Sequence, residues 1–424
     1  MKTRIGPPVR LIGALLVILL AVTVALTRPQ AAQAGGAPGH APIVIHSDSD
    51  FSSCACVVSG SGTPTDPYVI GPWAINGAPG VAVSVDGATL TKSFTFLNLT
   101  IGGSNSAATT GIVLNHINPG SGAAGIAARV QGAQTLISNH VIGVLIENSR
   151  YVVLDGGGAN PNGLGIVNSG AGTINQNSSG AIDVEDSSYI TIRGWQMSAD
   201  GTDHATDWVG LDPDVKYWGV GGVRFFGVNN STIDHNAANN VTNVSYSLFH
   251  SSHNTLTSNT GDYPLTMNFV ITDGSSYNTV RGNDGGTGDY IGLMIADPLQ
   301  GTPALSAYGP SHDNVVDKNI IHGDGPTGNE RMAGTVPAFL GGIVVLNGTY
   351  NNTLSNNQLW ADAGNNLVWA QAVPNSQSVI GVVTAPPLLH CNVNQYNGGP
   401  GPAPYRNGNV WTGNIYQTID PCLQ

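Results

Sequence analysis

The apolar positions of this chain fall into one recurring phrase. Asn254-Thr-Leu-Thr-Ser-Asn259, Asn278-Thr-Val-Arg-Gly-Asn283, Asn314-Val-Val-Asp-Lys-Asn319, Asn352-Thr-Leu-Ser-Asn-Asn357 and Asn409-Val-Trp-Thr-Gly-Asn414 share it. Weaker copies centre on Phe96, Leu136, Leu154, Ile192 and Ile233. With the central apolar residue of each copy as an anchor, Thr or Val stands just before every anchor. Ser or Thr stands five before in most copies: Thr91, Ser149, Ser187, Ser251, Ser275, Ser311 and Thr349. From Ile233 to Leu256 to Val280 the step is 23 and then 24 residues. That is the unbroken period, and longer gaps carry additions of variable length. The gap of 18 from Leu136 to Leu154 is too short for a full turn, so the Leu136 copy is a partial coil or belongs elsewhere in one.

Each copy reads as a strand, a tight turn at the Ser, a second strand and an Asn turn. Ile182 and Val184 point one way and Asp183 and Glu185 the other, the period of two of a strand. A single copy cannot bury its apolar side alone. Stacking copies buries a continuous column. The expected fold is all-β, a parallel β-helix of about 10–11 coils at the usual inter-strand spacing. A β-sandwich would not keep one phrase in register. Stacking also places Asn254, Asn278, Asn314 and Asn352 above one another as an amide ladder. One residue after the anchors, Asp155, Arg193, Asp234, Thr257, Arg281 and Asp317 form a column. It reads as cross-strand charge pairing rather than as a catalytic row.

These copies resemble the right-handed parallel β-helix repeats of the pectin-lyase-like superfamily, and more narrowly its NosD-like and carbohydrate-binding/sugar-hydrolase (CASH) group. The segment Ser59-Gly-Ser-Gly-Thr-Pro-Thr-Asp66-Pro67-Tyr68-Val69-Ile70 is similar to the phrase that often opens such helices. The resemblance runs from about Gly60 to about Ile419 and implies a right-handed coil. It implies no single activity, because the fold hosts lyases, hydrolases, epimerases, adhesins and inert spikes.

The first 34 residues read as a targeting segment. Lys2, Arg4 and Arg10 precede the apolar run Leu11 to Leu26, and Ala32-Gln33-Ala34 offers a cleavage site. The rival is an uncleaved N-terminal membrane anchor, since Val9 to Leu26 nearly spans a bilayer. Membrane contact is expected only there. Residues 35–85 are then an N-terminal segment and cap, 86–420 the β-helix and 421–424 a short tail. The protein is expected outside the cytoplasm, secreted or at the cell surface. Charged residues are only 9% of the chain and the formal net charge is −12. Loss of Lys2, Arg4, Arg10 and Arg28 with the leader makes it more negative, which argues against nucleic acid. Cys391 and Cys422 are positioned to staple the C-terminus. Cys54 and Cys56 form either a disulfide or a C-x-C metal site with His40 and His46 nearest, the disulfide being favoured by export.

Chemistry is expected in the additions, which the pattern places along one edge at Gly158–Gly180, Gln196–Gly222, Asp284–Leu305, Ile320–Gly341 and Gln358–Pro404. The richest is Ser198–Arg224, with Asp200, Asp203, His204, Asp207, Asp212, Asp214, Trp208, Tyr217, Trp218 and Arg224. Its rings suit stacking on sugars and its carboxylates suit hydroxyl contact, acid–base work or Ca²⁺. A bland reading is a solvated acidic loop closing over its own rings. A second cluster is His322, Asp324, Glu330 and Arg331, where Arg331 is the candidate lyase base and the rival is a simple turn. His250 and His253 read as turn caps. Asp212-Pro213-Asp214 lacks the His of the Asp-Pro-His found in epimerases. The leading expectation is an extended polysaccharide held in a loop-lined groove. A polysaccharide lyase or glycoside hydrolase is the alternative. The NosD resemblance further implies a copper accessory role, disfavoured by only four Met after the leader, Met197, Met267, Met294 and Met332.

Overall fold

The computed structural model describes residues 37–416 except 77–79, 104–108, 121–124, 159–164, 168–179, 199–220, 240, 242–243, 265–266, 287–290, 297–307, 324–340, 347–348, 361–364 and 371–407. Each coil passes through three strands rather than the two read from the sequence. Long strands such as Val244–Phe249 and Met267–Thr272 build sheet 1. Three-residue strands such as Thr255–Thr257 and Thr279–Arg281 build sheet 2. Equally short strands such as Thr260–Asp262 and Asp284–Gly286 build sheet 3. Sheets 1, 2 and 3 hold 11, 12 and 11 described strands. All described pairings are parallel except Val57–Ser59 with Tyr68–Ile70 and the isolated bridge Thr63–Asp66, both at the start. The fold is a right-handed parallel β-helix, the hand that connections between parallel strands adopt.

The repeat register is the one the anchors predict. Ile233, Leu256, Val280, Val316, Leu354 and Trp411 pair in succession across sheet 2. All but the last are fully buried. Leu136 is the exception. Sheet 2 runs Phe96 to Val130 to Leu154, whereas Leu136 pairs with Thr100 in sheet 3. The phrase around Leu136 mimics the repeat, but its inward residue is Ile137, one position later.

On the middle coils the third strand left little trace in the sequence, because its inward positions there are Ala238, Gly261 and Gly285. The reason lies across the interior. Tyr246 and Phe269 of sheet 1 stack at 5.4 Å and fill that volume. A Cβ on Gly285 would come within 2.9 Å of the Phe269 ring. The Tyr246 hydroxyl lies 3.0 Å from Asn236 O and 2.9 Å from Thr260 O. Burial holds this phenol well above its ordinary pKa.

Two amide ladders bind the corners. Asn254, Asn278, Asn314, Asn352 and Asn409 are linked Nδ2 to Oδ1 at 2.9–3.1 Å. Asn236, Asn259, Asn283, Asn319, Asn357 and Asn414 form a second ladder at 2.9–3.0 Å. Each Oδ1 also accepts a backbone N–H, as Asn278 Oδ1 does from Asn254 N at 2.9 Å. The Ser positions act at the remaining turn: Ser187 Oγ accepts from Ser149 N and Ser275 Oγ from Ser251 N. Buried polar groups are thus satisfied coil by coil. The charged outward column pairs as expected, Arg193 with Asp155 at 2.6 Å and Arg281 with Asp317 at 3.0 Å.

At the N-terminal end the helix Asp48–Ser53 sets Phe51 against Tyr68 and Phe94, with ring centroids 5.0 and 5.8 Å away. Cys54 and Cys56 form a disulfide, so the C-x-C metal alternative does not hold. Sheet 1 already begins at Ile43–Ile45, which pairs with Val81–Asp86. The additions divide between two corners rather than lying on one edge. Residues 199–222 and 323–340 join sheet 3 to sheet 1, whereas 297–314 and 371–409 join sheet 1 to sheet 2. Sheet 1 strands Ile291–Ile295 and Asn365–Ala370 lie inside stretches that read as loops. Residues 1–36, Cys391 and Cys422 lie outside the described residues. No described helix is long and apolar enough to cross a membrane.

Candidate functional site

Most of the acidic cluster, Asp200, Asp203, His204, Asp207, Trp208, Asp212, Asp214, Tyr217 and Trp218, lies outside the described residues, as does Arg331. Arg224 is described, and it is not a loop residue. It sits in the strand Val223–Phe226 of sheet 1, fully buried. Its guanidinium donates to Asp183 through Nε at 2.8 Å and through a terminal nitrogen at 2.6 Å, and to Glu185 at 2.6 Å. Burial opposes its charge, but the Asp183 and Glu185 carboxylates outweigh this and hold its pKa above the ordinary value. Asp183 and Glu185 point outward as the alternation predicts, yet both are buried. A fork-bound arginine with no exposed surface is a structural tie, so its candidacy as a catalytic group falls.

His322 leads to a different constellation. It ends the strand Ile320–His322 on the outer side of sheet 3. Asp262, Gly286, His322 and Trp360 pair in succession there, after Asn239. A Cβ on Gly286 would lie 2.6 Å from His322 Cε1, so glycine makes room for the imidazole to lie over the neighbouring coil. There His322 Nε2 stands 3.3 Å from Asp284 Oδ1. On its other side the imidazole stacks on Trp360 at 5.2 Å and 7°. The pair is part-exposed, 34% for His322 and 49% for Asp284. Asp262 Oδ1 and Asp284 Oδ1 are themselves buried, so what Asp284 presents to solvent is the rest of its half-exposed carboxylate. The site offers the His322 imidazole, the part-exposed Asp284 carboxylate and the Trp360 indole on the outer side of sheet 3.

Sequence reasoning named His322 but grouped it with its chain neighbours. Reading the column six residues after each anchor would have found Asp262, Gly286, His322 and Trp360 together. His250 and His253 do sit at left-handed turn positions, φ 46° and 60°. His253 stacks on Tyr277 and His250 on Tyr308. Among the described residues no three His, Cys, Asp or Glu side chains gather to hold a metal ion. Met197, Met267 and Met294 are buried, which removes them as surface thioether ligands for copper.

No family model matches the chain, and no curated protein matches it by sequence. Solved structures are similar in shape. The Dettilon tailspike protein aligns with a TM-score of 0.44 and 10% identity over 78% of this chain, which spans 57% of the tailspike. An alginate lyase, AlyF, solved with G6, aligns with a TM-score of 0.44 and 13% identity over 91% of this chain and 87% of its own. A PL6 family polysaccharide lyase from Pseudopedobacter saltans aligns at 0.28 and 13%, over 88% and 92%. The chain is a parallel β-helix protein by its own sheet topology.

Proposed function

We propose that this is an extracytoplasmic protein that holds an extended polysaccharide along the outer side of sheet 3 and its border with sheet 1. The observation that carries this reading is the His322–Trp360 stack with Asp284 3.3 Å from the imidazole, on an open sheet. An indole plate packs against sugar C–H faces, and the exposed part of the Asp284 carboxylate accepts sugar hydroxyls. Asp200, Asp203, His204, Asp207, Trp208, Asp212, Asp214, Tyr217 and Trp218 lie outside the described residues and stay candidate contacts by their chemistry alone. A repeat at one inter-strand spacing suits a linear polymer rather than a compact ligand. The likeness of the repeats to the NosD-like and CASH group, and the leader-like N-terminus, support a carbohydrate-facing role outside the cytoplasm.

The test is affinity electrophoresis of the full chain and of a Trp360→Ala/His322→Ala variant across a broad panel of soluble polysaccharides. Retardation of the parent by one or more glycans, weakened in the variant, is the expected result. Equal mobility of the two on every retarding glycan overturns the reading.

A hydrolase is the second reading, and one observation favours it. Asp262 and Asp284 lie on adjacent strands two positions out of register. Such diagonal neighbours are roughly 7–8 Å apart, within the ~5–9.5 Å that paired glycosidase carboxylates span. Release of reducing ends in the same mixtures, abolished by Asp284→Asn, would decide for it.

A further inference from the structure

The corner between sheets 1 and 2 carries a ribbon of rings that the sheet 3 site does not use. Its backbone is a bridge ladder through Arg150, Ser188, Asn229, Ser252, Ser276, His312 and Tyr350. Beside it Tyr151 and Tyr189 stack at 4.8 Å, and the Arg150 guanidinium lies 5.4 and 5.1 Å from the two ring centres. After a gap at Asn230, His253, Tyr277, His312 and Tyr350 follow on consecutive coils, with centroids 5.0, 5.6 and 4.6 Å apart. The ribbon spans six coil steps, about 29 Å at the usual inter-strand spacing.

These rings are not there for the coil. Tyr151, Tyr189, His253 and Tyr277 occupy left-handed backbone positions, φ 59°, 56°, 60° and 57°. That region disfavours bulky side chains and suits Asn and Asp. The same column holds Asn230, Asp313 and Asn351 on other coils, at φ 53°, 53° and 55°. The fold is therefore served by Asn, and the aromatic residues are extra. They are also exposed: Tyr189 by 40% and Tyr277 by 53%.

We infer that this ribbon is a second polymer track, for a neutral glycan. Its polar groups are phenol hydroxyls, imidazole nitrogens, the Ser252 and Ser276 hydroxyls, which lie 3.0 Å apart, and one cation and one anion that offset each other, Arg150 on the tyrosine rings and Asp313 2.7 Å from His312 Nδ1. Such groups exchange hydrogen bonds with sugar hydroxyls while ring edges and faces cover sugar C–H. A chain with net charge −12 repels polyanions, which selects against acidic polymers. In a three-sided coil this corner is the one that sheet 3 does not share. A polymer lying straight on sheet 3 cannot reach it. If sheet 3 also binds, as proposed above, one molecule bridges two polymer strands. The ribbon itself does not depend on that reading.

The experiment compares the full chain with Tyr189→Asn/Tyr277→Asn and with Trp360→Ala/His322→Ala. The probes are soluble galactomannan, xyloglucan, mixed-linkage glucan and starch, read by gel retardation and by light scattering. Asn is native to this column, so Tyr189→Asn/Tyr277→Asn keeps its melting temperature. It is expected to weaken retardation at least threefold and to abolish the rise in scattering that bridging produces. Retardation by the ribbon alone, unchanged in Trp360→Ala/His322→Ala, would keep the track and remove the sheet 3 reading. Retardation and scattering unchanged in Tyr189→Asn/Tyr277→Asn, or no retardation of the parent chain by any of the four, overturns the track.

Discussion

The side-chain nitrogen of Asn278 donates to the side-chain oxygen of Asn314 at 3.0 Å, across 36 residues of chain. The same nitrogen donates to Ser251 O at 2.8 Å, and the Asn278 oxygen accepts both Asn254 N and Asn254 Nδ2. Every hydrogen-bonding capacity of this buried amide is used. Asn278→Ala should orphan donors on the Asn254 coil and an acceptor on Asn314. At about 1–3 kcal/mol per orphaned buried group, the loss should reach several kcal/mol. Urea unfolding checks this. A loss below ~0.5 kcal/mol would mean the ladder is incidental.

Arg224 makes the opposite case to a surface ion pair. It is buried with both its carboxylate partners. Arg224→Met removes the cation and leaves Asp183 and Glu185 buried together, a change that typically costs about 3–5 kcal/mol. Arg224→Lys should recover little of it, because an ammonium cannot reproduce the fork. Glycan retention by either variant, measured below its melting temperature, should equal that of the parent. A selective loss of retention in a fully folded Arg224→Lys protein would return this residue to the site.

His140 makes stability depend on pH. It is fully buried, neither ring nitrogen has a hydrogen-bond partner among the described residues, and burial lowers its pKa from 6.5 to about 4. The unfolded chain therefore binds the proton first as pH falls. Stability contributed by neutral His140 is complete above about pH 6.5 and is lost progressively down to about pH 4. The full difference is of order 3 kcal/mol at 1.36 kcal/mol per pH unit. His140→Phe should flatten the melting temperature over that window, while the parent falls. Parallel curves would place the acid sensitivity elsewhere.

Leu256 tests the interior column. It is buried between Ile233 and Val280 on adjoining strands. Leu256→Ala should cost about 2–5 kcal/mol. Leu136→Ala should cost far less, since Leu136 faces outward and is only half-buried in sheet 3. Equal losses for the two would contradict the register described above.

The fold was legible where the chain repeats large apolar residues between polar turns. Leu256, Val280 and Val316 announced the register because each fills the same interior storey. The third sheet was not legible on the middle coils, where its inward positions are Ala238, Gly261 and Gly285 and Gly285 gives way to the Phe269 ring; on other coils Ile101, Ile137, Met197 and Ile321 fill the same column. Only one of the two amide ladders was expected, although the same phrase begins and ends in Asn. For the site, chain proximity misled. Arg224 follows an acidic segment but belongs to a sheet, whereas His322 meets Asp284 and Trp360 only through stacking. Contacts 38 residues apart appear when the coil columns are compared, not when the sequence is read along its length.

The ladder closes alike whether consecutive amides are separated by 23 residues, as for Asn236 and Asn259, or by 57, as for Asn352 and Asn409. The rungs are thus indifferent to what is spliced between them. Such a scaffold can exchange whole outer segments in descent or in the laboratory, acquiring new specificities while its girder stays untouched.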